Sequence, residues 1–315
     1  MKSRRRIWMA VFAMGVLAVA LSGGPARSQG RWVQAAPMPE ERTEVAAAEV
    51  GGKIYVAGGF GGTLALWEYD PAADRWRRRA PLPLALHHAG AASVGGRLYI
   101  VGGYASGWGS VDTVLEYNPS ADRWRERAKM PTPRGALAVG VLDGKIHAVG
   151  GVGSGPGRRN TNAHEVYDPA TDAWARRAPL PTPRDHLAVE VAGGRLYAIG
   201  GRVDGSYANN LAANEEYDPK TDAWRPRAPM PTTRSGVAAA VAGGRIFVFG
   251  GESVSGTFSQ AEAYDPAADK WSAHAPMPTA RHGLAAVALG GRIFVISGGP
   301  TPGGSYSGKN EVFHP

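Results

Sequence analysis

Residues 178–201 read APLPTPRDHLAVEVAGGRLYAIGG, and nearly the same stretch returns as APMPTTRSGVAAAVAGGRIFVFGG at 228–251 and APLPLALHHAGAASVGGRLYIVGG at 80–103. Self-similarity at a period of 20 to 50 residues marks a repeat architecture. The landmarks can be counted along the whole chain. Tryptophans stand at 32, 76, 124, 174, 224 and 271, and glycine pairs begin at 58, 102, 150, 200, 250 and 298. Tyrosines followed by Asp-Pro or Asn-Pro stand at 69, 117, 167, 217 and 264, with Phe313 closing the last copy. That makes six copies.

Within one copy, short β-prone runs alternate with turn signals. In the fourth, HLAVEV and RLYAIGG flank a Gly-Gly hairpin turn, NEEYDP follows, and the tryptophan strand ends at the next proline-rich link. Asp bonds its own downstream backbone and Pro ends pairing, which explains the recurrent Asp-Pro. Four antiparallel strands in 44 to 50 residues make one propeller blade. The expected fold is all-β, a six-bladed β-propeller. The Gly-Gly doublet after the second strand, the Tyr and Trp at fixed spacing, and the MP/LPxxR link resemble kelch repeats over residues 31–315. WD40 repeats have a similar length, but their Gly-His and Trp-Asp dipeptides do not recur here.

The count also predicts how the ring closes. The chain opens with a lone tryptophan strand, Arg31-Trp32-Val33, and ends with a three-strand set that lacks one. The N-terminal strand should therefore complete blade six and remove an open edge. First strands are rich in Ala, Gly and Val, whereas Tyr and Trp fall on the outer three. Blades crowd at the axis and splay outside, so the six repeated tryptophans read as core.

Residues 1–28 are a different text. Lys2, Arg4, Arg5 and Arg6 precede an apolar run from Ile7 to Leu21 and then small residues, the pattern of a cleavable secretory signal. The run is short for a membrane span, which needs about 20 residues. The expected organisation is a signal peptide at 1–28 and the propeller at 29–315, a protein exported to the periplasm or the exterior that meets the membrane only in transit. Removing the leader takes away five basic groups and no acid, leaving 30 basic against 27 acidic groups, a net charge of +3. Nucleic-acid binding is not indicated. With no cysteine, the exported chain has neither disulfides nor thiolate metal ligands.

Spacing separates scaffold from candidate site. Tryptophan to glycine pair is 26 residues five times and 27 once, and Tyr to Trp is always seven. From the second glycine to the aromatic, however, the gap runs from 10 to 16. The variable loop between the second and third strands shares a face with the MPxxR links, so both should ring one mouth of the axial channel. Arg42, Arg134, Arg184, Arg234 and Arg281 stand in those links, with Leu86 in the second blade. Five guanidiniums at the mouth would bind an anion; alternatively, each bonds a neighbouring blade as scaffold.

Departures from the repeat are the other candidates. They are His87, His88, Asp185, His186 and His282 beside the Arg positions, and Arg202 and Glu252 after glycine pairs where other blades carry Phe60, Tyr104, Val152 and Pro300. Tyr104 and Trp108 are candidate ligand contacts. Glu252, His87 and His282 are the candidates for acid–base chemistry. Three histidines from different blades could bind a metal, but His282 is offset by one from His88 and His186, and strand alternation would turn it away. No metal or other cofactor is therefore expected. Glu190 is a carboxylate in a first strand where the sister blades carry Ala48, Ala92, Gly140, Ala240 and Val287.

Two functions stay open. One is a monomeric binding module that presents this face to a glycan, peptide or protein. The other comes from resemblance: periplasmic sialic-acid mutarotases are similar six-bladed propellers, which implies epimerisation of an acidic sugar. Galactose oxidase also shares kelch repeats, but its Tyr-Cys crosslink cannot form without cysteine.

Overall fold

The computed structural model describes residues 30–315 apart from Gly62, Pro156 and Arg158; the expected leader lies outside the described residues. Six four-stranded antiparallel sheets stand around one axis. Their innermost strands are Ala46–Val50, Gly90–Val94, Ala138–Leu142, Ala188–Ala192, Ala238–Ala242 and Ala285–Leu289. Blade four shows the pattern, running outward from Ala188–Ala192 through Arg195–Ile199 and Asn214–Asp218 to Ala223–Pro226. The second strand is buried on both faces, because it packs against neighbouring blades on either side. No helix among the described residues is long and apolar enough to cross a membrane.

The ring closes through the N-terminal strand as expected. Arg31–Gln34 pairs with Asn310–His314, Trp32 opposite Phe313 and Gln34 opposite Glu311. Each outer tryptophan ties its blade to the one before: the indole N–H of Trp76, Trp124, Trp174, Trp224 and Trp271 donates to an alanine carbonyl in the preceding link at 2.8–2.9 Å. Trp32 does the same to Ala275, so the composite sixth blade keeps the common geometry.

Blade six also resolves the odd spacing. In five blades the second glycine of the doublet packs on a carbonyl just after the link position of its own blade, as Gly251 does on Ser235. In blade six it is Gly298 that packs this way, on His282. Ser297 therefore takes the first-glycine place, with φ 62° and its hydroxyl donating to the Arg42 carbonyl. Tryptophan-to-doublet spacing is thus 26 in every blade, and the residue matching Arg202 and Glu252 is Gly299, not Pro300.

Candidate functional site

Four of the five link arginines do not face the mouth. Arg134, Arg184, Arg234 and Arg281 are fully buried inside their own blades. Arg134 donates to Glu165 at 2.5 Å and to the Ala148 carbonyl at 2.9 Å, while Thr132 bonds the other carboxylate oxygen at 2.7 Å. Arg184 with Glu215, Arg234 with Glu262 and Arg281 with Glu311 repeat the arrangement. In the first blade Trp67 stands where blades three to six have that glutamate, and Arg42 turns instead to Glu40 at 2.7 Å. For Arg134, Arg184, Arg234 and Arg281 the anion-binding reading is therefore corrected to the scaffold alternative, as a brace within each blade and not to a neighbouring one, because the link aims these four side chains into their own sheets.

The mouth is built from the next two link residues and from the residue after the glycine doublet. Asp185 bridges to Arg202, Ser235 to Glu252, His87 to Tyr104 and His282 to Gly299. One residue further on, Glu44, His88, Ala136, His186, Gly236 and Gly283 all have φ between 52° and 65°. Their backbones form a closed ring: each N–H donates to the equivalent carbonyl one blade back, from His88 to Glu44 at 3.1 Å round to Glu44 and Gly283 at 2.6 Å. The left-handed turn carries these side chains to the axis. It also breaks strand alternation, which is why His282 does not point away; its Nε2 lies 3.8 Å from Glu44, the carboxylate that His88 approaches at 3.5 Å.

A pocket of about 120 Å³ opens there, sharing Glu44, His88 and His186 as lining with an axial channel of about 190 Å³. Phe60 and Trp108, with ring centroids 5.5 Å apart, form one wall. Arg202 forms the other, stacked on Tyr207 at 4.7 Å and donating to Glu252 at 2.7 Å. The second Glu252 oxygen lies 3.5 Å from His282 Nε2 and accepts the Gly303 N–H at 3.2 Å. Asp185 sits behind, against His186 and Arg202. Burial pushes its carboxyl up, but those two neighbours outweigh it and hold the group below its ordinary value.

Hydrogen bonds assign the imidazole tautomers. The Gly107 carbonyl can only accept, so His87 donates from Nε2 at 2.6 Å and offers Nδ1 as acceptor to His88 Nδ1–H, also at 2.6 Å. His282 donates from Nδ1 to the Gly299 carbonyl at 3.1 Å, and His186 from Nδ1 to Asp185. All three pocket histidines thus turn Nε2 toward the axis. Burial, then the nearby His186, His87 and Arg202, hold His88 well below the ordinary imidazole range.

Of the candidates named from sequence, Glu252, His282, His88, His186, Arg202 and Trp108 line the pocket. His87 and Asp185 stand one layer behind and orient it, and Tyr104 is wholly buried against Trp108. Glu44, Phe60 and Tyr207 were not singled out. The signal for Glu44 lay in the repeat: its alignment column otherwise holds only His, Ala and Gly. Glu190 lines the channel midway, among the small residues of the inner strands, and burial pushes its carboxyl up to about 8.

Residues 177–313 match a family model described as KLHDC2/KLHL20/DRC7 Kelch-repeats domain, and residues 41–83, 85–131 and 133–181 match the Kelch motif model. A search of curated proteins finds no match. A solved structure described as "Structure of YjhT" is similar with a TM-score of 0.77 at 19% identity, over 87% of this chain and 95% of that one. At that identity the likeness shows the fold.

Proposed function

The chain belongs to the kelch-repeat β-propellers, a fold that hosts binders and enzymes alike, and on that premise we propose an exported binding module whose axial mouth holds one small polyhydroxylated ligand, a single sugar ring in size. The observation that carries this reading is one pocket with an aromatic wall, Phe60 and Trp108, facing the polar groups of Arg202, Glu252 and His282. Sugar rings offer C–H faces to aromatic surfaces and hydroxyls to such donors and acceptors. A volume of about 120 Å³ favours one ring over a peptide or an oligosaccharide.

Charge favours a neutral sugar. The four buried arginines are spent inside the blades, and the one guanidinium in the pocket among the described residues already bonds Glu252. A ligand carboxylate would also face Glu44. The second reading, anomer interconversion as the resemblance to sialic-acid mutarotases implies, rests on the Glu252–His282 pair as acid and base for ring opening.

Calorimetry and thermal shift of the protein beginning at residue 29, against neutral and acidic monosaccharides, test the proposal. A neutral sugar should raise the melting temperature, since bound ligand stabilises by RT ln(1 + [L]/Kd). Trp108→Ala should weaken that binding at least tenfold, about 1.4 kcal/mol, with the ligand-free melting point unchanged. No shift with any sugar at millimolar concentration overturns the reading, and binding of acidic sugars alone overturns the neutral preference. NMR of a freshly dissolved anomer separates the enzyme: wild-type protein should speed equilibration and Glu252→Gln should not.

A further inference from the structure

We propose that the mouth is a binding site for one divalent transition-metal ion, held by Glu44 and by Nε2 of His88 and His186. The ligand atoms of these three residues lie within 4.8 Å of one another, although they come from blades one, two and four. Only the closed ring of left-handed link residues brings them together.

The imidazole orientations point to the same ion. His88, whose Nδ1–H is committed to His87, aims Nε2 at the Glu44 carboxylate 3.5 Å away. Among the described residues no donor reaches that nitrogen. Two electron-rich groups facing each other in a buried site call for a cation between them. His186 is set by Asp185 at Nδ1 in the carboxylate–histidine manner that orients metal ligands. Its Nε2 accepts from Arg202 at 3.0 Å. The ion replaces that contact, and Arg202 keeps Glu252 and its stack on Tyr207.

Charge balance is an independent argument. Glu44, Asp185 and Glu252 converge on the mouth against the single described guanidinium, Arg202, and the two remaining negative charges are faced by the imidazoles of His88, His186 and His282. A divalent cation neutralises those two charges. Two imidazoles and one carboxylate suit zinc, cobalt or ferrous iron over calcium or magnesium, which take oxygen sets. The neighbouring group of Glu44, Glu252 and His282 retains Arg202 as its cation on Glu252.

The test uses no sugar, so its outcome is separable from that of the proposed function. After EDTA treatment and dialysis, the protein is titrated calorimetrically with Zn²⁺, Co²⁺ and Ca²⁺. One Zn²⁺ or Co²⁺ should bind per chain and Ca²⁺ should not. Glu44→Gln and His88→Gln should each weaken Zn²⁺ at least tenfold, and His314→Gln, far from the mouth, should leave it unchanged. Circular dichroism of the metal-free variants checks folding. Should they fail to fold, NMR of the wild-type imidazole nitrogens serves instead, with Nε2 of two histidines shifting on Cd²⁺ addition. Absent micromolar binding, wild-type affinity in both mouth variants, or shifts confined to other histidines overturns the proposal.

Discussion

Leu86 and Leu115 stand where blades three to six carry the buried arginine and its glutamate, and both leucines pack in one apolar cluster. The second blade has thus exchanged an entire ion pair for two apolar side chains. Removing one member of such a pair leaves a buried charge without its partner, at a cost of about 3–5 kcal/mol, whereas replacing both is near neutral. Arg234→Leu should accordingly lower stability by about that amount, and Arg234→Leu combined with Glu262→Leu should recover most of it in denaturant unfolding. A double variant as unstable as the single one contradicts the exchange. The repeat made these arginines visible in sequence, but their direction was not, since a count of loops places a Cα and not a guanidinium. The joint replacement in blade two was the legible sign of an internal brace.

At the scale of elements, the hairpin glycines and the glycine doublet show how one backbone conformation serves different ends. Gly95 and Gly250 have φ of 58° and 63°. Around Gly95 a Cβ would meet nothing within 4 Å, whereas at Gly250 it would run into the Arg281 carbonyl of the next blade. Gly95→Ala should therefore cost only the left-handed strain, about 1 kcal/mol, and Gly250→Ala clearly more, because two blades must part. Comparable melting points for the two would deny the close approach. Ser297 fits the corresponding place in blade six because its hydroxyl turns the clash into a hydrogen bond with the Arg42 carbonyl. Sequence spacing located the doublets but misaligned this last one by a residue, since Gly298-Gly299 matches the motif and only packing identifies which glycine touches what.

For the whole molecule, stability depends on closing the circle. Deleting residues 29–36 removes the outer strand of blade six, the Trp32 bond to Ala275 and the packing of its ring on Phe249 and Phe313. Loss of such an aromatic costs about 3–5 kcal/mol, against a typical total of 5–15 kcal/mol. The truncated protein should melt well below the one starting at residue 29, and equal melting temperatures would show that the ring does not need its first strand.

The sequence by itself determined the number of blades, their four-strand pattern and the composite sixth blade, while the six tryptophans it read as core prove half-buried, packed against the core from the outer strands. Blade number, pattern and closure follow from the spacing of Trp, Tyr and Gly, and spacing along a chain is what a repeat preserves. It also pointed to the mouth, through residues that break the repeat. Tertiary structure alone decided which side chains share that mouth. Glu44, His88, His186 and His282 lie far apart in the chain, and their convergence depends on six left-handed turns bonded head to tail around the axis. No local pattern encodes a ring that exists only once all six blades are in place.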